Sequence, residues 1–279
     1  MAFTPKTGKL AANVDINAAF QYGTDMNNYR GKLWYYSGNL GFGNFTSSNL
    51  QFGQFYDKSA TDPAGAGTQT FNSSGTFSVP LYRTSFKIEL WGGGGGAGAG
   101  DYNTTINGTD GGDTVCLGLT AGGGKGGGGG NNKGTQNGPG GSFGVASGNA
   151  SPTGSSQNKA NGAVGTAGVA TTPLGGTGGT SLFGGTGGAG TGTNQGNDGT
   201  APGAGGGGGG YNDNAKKNPT RSAGGGGGSG AYANVTYAGG TISNGTVISF
   251  TVGLAGQGGK GNESSGGNGA PGRIKFTWS

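Results

Sequence analysis

The stretch APGAGGGGGGYNDNAKKNPTRSAGGGGGSGAY, residues 201–232, decides how the rest of the chain is read. Two glycine runs flank a polar, basic segment that contains Pro219. Either the runs are flexible spacer, or they are a scaffold that holds out the segment between them. A glycine-rich spacer behaves as a random coil and has no reason to recur. Here the runs recur at Gly92–Gly100, Gly122–Gly130, Gly138–Gly141, Gly175–Gly179, Gly184–Gly192, Gly203–Gly210, Gly224–Gly230, Gly253–Gly261 and Gly266–Gly272.

Strand-like segments enclose these runs. Phe77 and Val79 alternate with polar residues in TFNSSGTFSVP, as do Phe86, Ile88 and Leu90 in TSFKIELWGG, and the two read as a pair of strands. Val115, Leu117 and Leu119 suggest one more strand. AYANVTYAGG, TVISFTVG and GRIKFTWS close the chain with three more. Strands are expected at about 70–91, 113–121 and 231–278, making an antiparallel sheet or small sandwich. The glycine runs must leave this β part and return to it.

A glycine chain that leaves a sheet and stays ordered has one regular option. The polyproline-II helix has three residues per turn, rises ~3.1 Å per residue and makes no internal hydrogen bonds. Its N–H and C=O groups point outward, and glycine lets neighbouring backbones approach closely. Weak Cα–H···O contacts add to such a lattice. The expected fold is mainly β plus polyglycine-II: a sheet base carrying a slab of stacked glycine helices. Residues 1–63 would precede it as a small attachment module, with 64–279 as the glycine-rich domain. In the first part, NVDINAAFQYG suggests a short helix capped by Asn13 or Asp15.

Composition supports this reading over disorder. Of 279 residues 76 are Gly, while hydrophobic residues are 29% and charged residues only 10%. Disordered chains are ordinarily charge-rich, and a backbone lattice needs few apolar side chains. Net charge is +5, carried by scattered cations, which gives no nucleic-acid signature. The single cysteine, Cys116, is expected as a buried thiol. MAFTPKTGKL has no apolar signal core, and no apolar stretch is long enough to insert in a membrane. No histidine exists for a triad or a His metal site, and Asp101, Asp110 and Asp113 read as turn formers. The expectation is a protein that is not an enzyme, with no cofactor and no metal.

The order of TFNSSGTFSVP, FKIELWGGGGGAGAG, glycine runs and a closing GAPGRIKFTWS resembles the glycine-rich receptor-binding adhesins of T-even-like bacteriophage tail fibres. LQFGQFYDKS is similar to an L-x-F-x-x-F-Y-x-K ending found near the start of phage structural proteins. The resemblance implies a virion protein made in the host cytoplasm, fixed through residues 1–63 to other tail, fibre or virion proteins, with homotrimers common in such fibres. Trp34, Tyr35, Tyr36, Phe42, Phe45, Leu50, Phe52, Phe55 and Tyr56 are the candidate attachment residues. It also implies that segments between glycine runs touch a host porin or polysaccharide. Those segments are 101–113, 131–137, 151–162, 211–223 and 262–265. Tyr102 and Tyr211 offer flat faces with polar tips. Asn103, Asn212 and Asn214 offer paired donors and acceptors. Lys216, Lys217 and Arg221 suit phosphate or acidic sugars. The alternatives are a purely architectural virion protein, such as a tail-tip connector or capsid fibre, and an ice-binding protein, to which GGTGGTSLFGGTGG gives a hint.

Overall fold

The structure, a computed structural model, describes residues 16, 20, 26–30, 32–36, 42–45, 55, 58–59, 65–80, 82, 84–101, 104–131, 136–154, 156–192, 195–213 and 220–279. The chain is mainly β. In chain order the first strands are β1 (Leu33–Tyr36), β2 (Phe42–Asn44), β3 (Lys58–Ser59), β4 (Gly67–Phe71), β5 (Gly75–Ser78), β6 (Ser85–Trp91), β7 (Gly100–Asp101), β8 (Thr114–Cys116) and β9 (Leu119–Ala121). They are followed by β10 (Gly130–Asn131), β11 (Ala146–Gly148), β12 (Ser156–Ala160), β13 (Gly210–Asp213), β14 (Thr220–Ala223), β15 (Tyr232–Ala238), β16 (Val247–Thr251) and β17 (Arg273–Trp278).

In the N-terminal part, β2, β1 and β3 form a small antiparallel sheet. Ile16, Phe20, Tyr29, Phe45 and Phe55 make a buried cluster there, with Trp34 packed against it. The proposed Asn13 or Asp15 cap lies outside the described residues.

Two five-stranded sheets, β11-β9-β8-β16-β5 and β12-β15-β6-β17-β4, form a sandwich. Alternation sets which residues face inward. Phe86, Ile88 and Leu90 of β6 meet Phe77, Ile248 and Phe250 of the other sheet in one core. Phe77 stacks on Phe276 across the sheets at 4.3 Å between ring centroids. Each such side chain contributes ~1.5–3 kcal/mol by leaving water. Two details differ from the sequence reading. The first two strand segments do not pair with each other: β5 pairs with β16, while β6 pairs with β15 and β17, because the two strands belong to different sheets of the sandwich. The 113–121 segment is a hairpin rather than one strand, since Leu117 (φ 45°) and Gly118 (φ 83°) adopt the left-handed turn that joins tightly twisted strands.

The glycine segments extend from the sandwich in line with its strands. Run 92–99 follows β6 and shows the order. Gly92, Gly95 and Gly98 donate their N–H groups to Ala231, Gly228 and Gly225. Gly93, Gly96 and Ala99 donate to Gly112, Thr109 and Ile106, while Gly94 and Ala97 donate to Ala270 and Gly267. Its carbonyls accept in the same rotation: from Gly124, Gly127 and Gly130, from Gly206 and Gly209, and from Gly256 and Gly259. The N···O distances run from 2.8 to 3.2 Å. Successive N–H groups thus reach different neighbours, and the fourth residue returns to the first neighbour.

Runs 203–209 and 224–231 are enclosed in the same way, and with 92–99 they bond to one another as an inner triangle. Around it the runs 104–113, 122–130, 138–145, 162–168, 174–181, 184–191, 196–200, 266–272 and 253–260 follow one another, each bonded to the next, and the last closes on the first. The sandwich sets the register. Tyr232 pairs with Trp91 as the last rung of the β6–β15 ladder, and Gly92 donating to Ala231 is the first rung beyond it.

Candidate functional site

The direction of the runs defines two ends. Runs 92–99, 122–130, 162–168, 184–191, 203–209 and 253–260 lead away from the sandwich end, and the others return. At the far end, or tip, therefore lie residues 101, 104, 131, 136–137, 169–174, 192, 195, 210–213, 220–223 and 260–265. This sorts the segments singled out from sequence. Segment 151–162 contributes β12, which pairs with β15 at the edge of the second sheet, away from the tip. Within 101–113, residues 104–113 are a returning run. Of the other segments, the described residues 131, 136–137, 211–213, 220–223 and 262–265 belong to the tip.

Buried hydroxyl and carboxylate groups tie the tip together. Ser264 Oγ donates to the Gly100 carbonyl at 2.6 Å and accepts from Gly100 N–H at 3.0 Å. Ser222 Oγ donates to the Asp101 carbonyl, and Asp101 Oδ2 accepts from Asn262 N–H, both at 3.1 Å. Asp101, Ser222 and Ser264 are all buried. Asn137 Oδ1 accepts from Ala170 N–H at 2.8 Å, joining two more connections. β13 and β14 form a hairpin that extends the inner runs 203–209 and 224–231, so its base stands on the most enclosed part of the bundle.

The candidate contact residues are placed as follows. Tyr211 lies on β13 opposite Ser222 and is half-buried. Asn212 pairs through its backbone with Arg221. Arg221 donates from Nη1 to the Thr171 carbonyl at 2.8 Å, which binds the hairpin to the 169–174 turn. The side chain of Asn212, together with Tyr102, Asn103, Asn214, Lys216 and Lys217, lies outside the described residues. In the N-terminal part, Phe45 and Phe55 are buried and their rings are 4.4 Å apart, so they hold that part together and are not free to bind a partner. Trp34 packs half-buried against the same cluster. Tyr35, Tyr36 and Phe42 lie on strands whose side chains are outside the description, as are Leu50, Phe52 and Tyr56 altogether.

A feature missed in the sequence runs along one edge of the bundle. Asn107 Oδ1, Asp110 Oδ1 and Asp113 Oδ1 accept the N–H groups of Gly129, Gly126 and Gly123 at 2.8–2.9 Å. The acceptors are spaced by three, as are the donors. These side chains therefore supply acceptors where an outer run has no further neighbour. Burial alone would raise the Asp110 carboxyl, but hydrogen bonds from Lys125 and Gly126 outweigh it and hold the carboxyl below its usual range. Thr166 and Thr200 do the same service for the N–H groups of Thr177 and Thr186, at 2.7 and 2.6 Å. The signal was the period of three in Asn107, Asp110 and Asp113.

Among the described residues no group of three His, Cys, Asp or Glu side chains converges to hold a metal, and no helix is long and apolar enough to cross a membrane. Compared with protein-family models, characterised proteins and solved structures, the chain matches none.

Proposed function

We propose that the chain is a bacteriophage tail or fibre protein in which a polyglycine-II bundle holds a host-binding tip on a β-sandwich base. The observation that carries the bundle is the rotation of hydrogen bonds by three along runs 92–99, 203–209 and 224–231. A helix with three residues per turn and no internal bonds has that pattern. Run 92–99 would then span ~25 Å at ~3.1 Å per residue. The enclosed inner triangle makes it a bundle more than a slab.

Rigidity supports an adhesive role for the tip. Loops presented by a stiff scaffold bind without a large ordering cost, and binding residues concentrate on loops held by rigid elements. The segment 210–223 carries in its sequence Tyr211, Asn212, Asn214, Lys216, Lys217 and Arg221, side-chain types suited to sugar or porin surfaces. In this proposal residues 1–63 fix the chain to the virion, and no nucleic acid, cofactor or catalysis is involved.

The test replaces residues 212–219 by a glycine–serine loop of equal length. Binding of fluorescently labelled full chain to a panel of bacterial strains is measured by flow cytometry. Loss of binding with an unchanged melting curve supports the proposal. Undiminished binding by the loop variant, or binding of the wild type to no strain, defeats it.

One observation favours an architectural alternative. Val145 and Val164, on adjacent outer runs near the sandwich, are 55% and 57% exposed, an apolar patch for a neighbouring subunit to cover.

A further inference from the structure

The outer face of the second sheet, at the opposite end from the tip, carries a groove of about 740 Å3. Strand register builds its floor. Asn158, Asn234, Glu89, Lys275 and Thr70 lie side by side across β12, β15, β6, β17 and β4. The next row toward the bundle holds Tyr232, Trp91 and Arg273. The turn between runs 174–181 and 184–191 overhangs this row. Trp91 Nε1 donates to the Leu182 carbonyl at 2.9 Å, which pins the turn to the sheet. Phe183 meets Tyr232 edge-on at 5.1 Å, yet remains 75% exposed.

Phe183 is unusual in two respects. Its φ is 52°, a left-handed conformation that bulky residues rarely adopt. A glycine or asparagine would occupy that turn with less strain. The turn nonetheless holds a large, mostly exposed ring over a polar floor.

The floor is basic. Lys87 and Lys275 both approach Glu89, at 2.8 and 3.6 Å, and Tyr232 Oη donates to Glu89 at 2.7 Å. Burial alone would raise the Glu89 carboxyl, but the hydrogen bonds from Lys87 and Tyr232 and the two lysine charges hold it below its usual range. Glu89 is thus ionised and fully engaged. It neutralises one cation and leaves the set of Lys87, Lys275 and Arg273 with excess positive charge. Lys87 and Lys275 side chains are 38% and 39% exposed, so both can still reach a ligand.

We infer that this groove binds an acidic saccharide, a pyranose carrying a carboxylate or phosphate. An exposed aromatic face takes the apolar face of a sugar ring. The amide of Asn158 and the hydroxyl of Thr70 suit sugar hydroxyls. Lysine and arginine charges then select the acidic substituent. The site is separate from the tip and does not depend on the function proposed for it.

The experiment is calorimetric titration of the full chain at low salt with tetragalacturonate, with uncharged maltotetraose and with tetraglutamate. Tetragalacturonate is expected to bind saturably and at least about tenfold more tightly than maltotetraose, the factor one charged hydrogen bond supplies. Lys275→Gln and Phe183→Asn should each weaken tetragalacturonate binding about five- to tenfold. Asparagine accepts the left-handed turn, so Phe183→Asn removes the ring without unfolding the turn, which a thermal melt checks. Exchange of the 212–219 loop should leave tetragalacturonate binding unchanged, which separates this site from the tip. No heat with tetragalacturonate at millimolar concentration overturns the inference. So does tetraglutamate binding equally well with no effect of Phe183→Asn, which would make the groove a docking patch for acidic peptide.

Discussion

Gly227→Ala puts one methyl group between two of the inner runs. A Cβ at Gly227 would meet the carbonyl oxygens of Gly95 and Gly96, both backbone atoms that no rotamer change can move aside. Runs 92–99 and 224–231 must then separate. The bonds at stake are Gly92 to Ala231, Gly95 to Gly228 and Gly98 to Gly225, at 2.9–3.0 Å. Three lost bonds cost about 1 kcal/mol each if water replaces them, and ~1–3 kcal/mol each if the groups stay dry. Alanine restricts the unfolded chain and returns only ~0.4–1 kcal/mol. The expected loss is roughly 2–8 kcal/mol, a large part of the ~5–15 kcal/mol that holds a domain together. Gly192→Ala is the control, because a Cβ there meets nothing within 4 Å. That change should be neutral or stabilise by up to about 1 kcal/mol. Denaturant unfolding gives both values, and amide hydrogen exchange should show Gly95 and Gly98 losing protection only in Gly227→Ala. If the two variants unfold within about 0.5 kcal/mol of each other, close backbone packing is not what stabilises the bundle.

Other perturbations read other parts of the molecule. Asp110 and Glu89 both have carboxyls held below their ordinary values of 3.8 and 4.5. Their contributions are therefore complete above about pH 4.5 and are lost as pH falls through the lowered folded values; a melting-temperature profile should decline only below about pH 4.5. Asp110→Ala should flatten part of that decline while costing no more than about 1 kcal/mol, since its side chain is 54% exposed. Cys116 is buried, and burial pushes its thiol up to about 12, so a thiol reagent at pH 8 should label it only after unfolding. Fast labelling of folded protein would refute that. The Tyr237 hydroxyl is buried with no hydrogen-bond partner among the described residues. Tyr237→Phe should raise stability by about 1 kcal/mol in denaturant unfolding; a loss would mean the hydroxyl is satisfied.

The alternating apolar residues of β6, β15, β16 and β17 were enough to read the sandwich core from sequence, because a strand's faces have a period of two. The long glycine runs were also legible as recurring ordered elements. Three runs were not recognised. In 104–113, 162–168 and 196–200 glycine is sparse, yet Gly108 and Gly111, Gly162, Gly165 and Gly168, and Gly196 and Gly199 are spaced by three. Each turns its glycines toward neighbouring backbone, where an added Cβ would strike a carbonyl or a serine oxygen. The other residues face outward and carry side chains such as Val164 or Asp110. An outer run needs glycine only on its covered faces, so the long-run signal fades where the period of three persists.

Sequence alone therefore determined that the chain alternates strands with glycine segments. It also supplied the Asn, Asp and Thr residues without saying what they do. Only the tertiary structure decided which segments lie at the tip, since that depends on which way each run points from the sandwich. Only it placed Lys87, Lys275, Arg273 and Phe183 around one groove, from parts of the chain up to 188 residues apart (Lys87 to Lys275). The physical reason is that a glycine run carries no side-chain code for its partners. Its neighbours are fixed by the register of the strands at its end, and register between distant strands is a property of the folded sandwich.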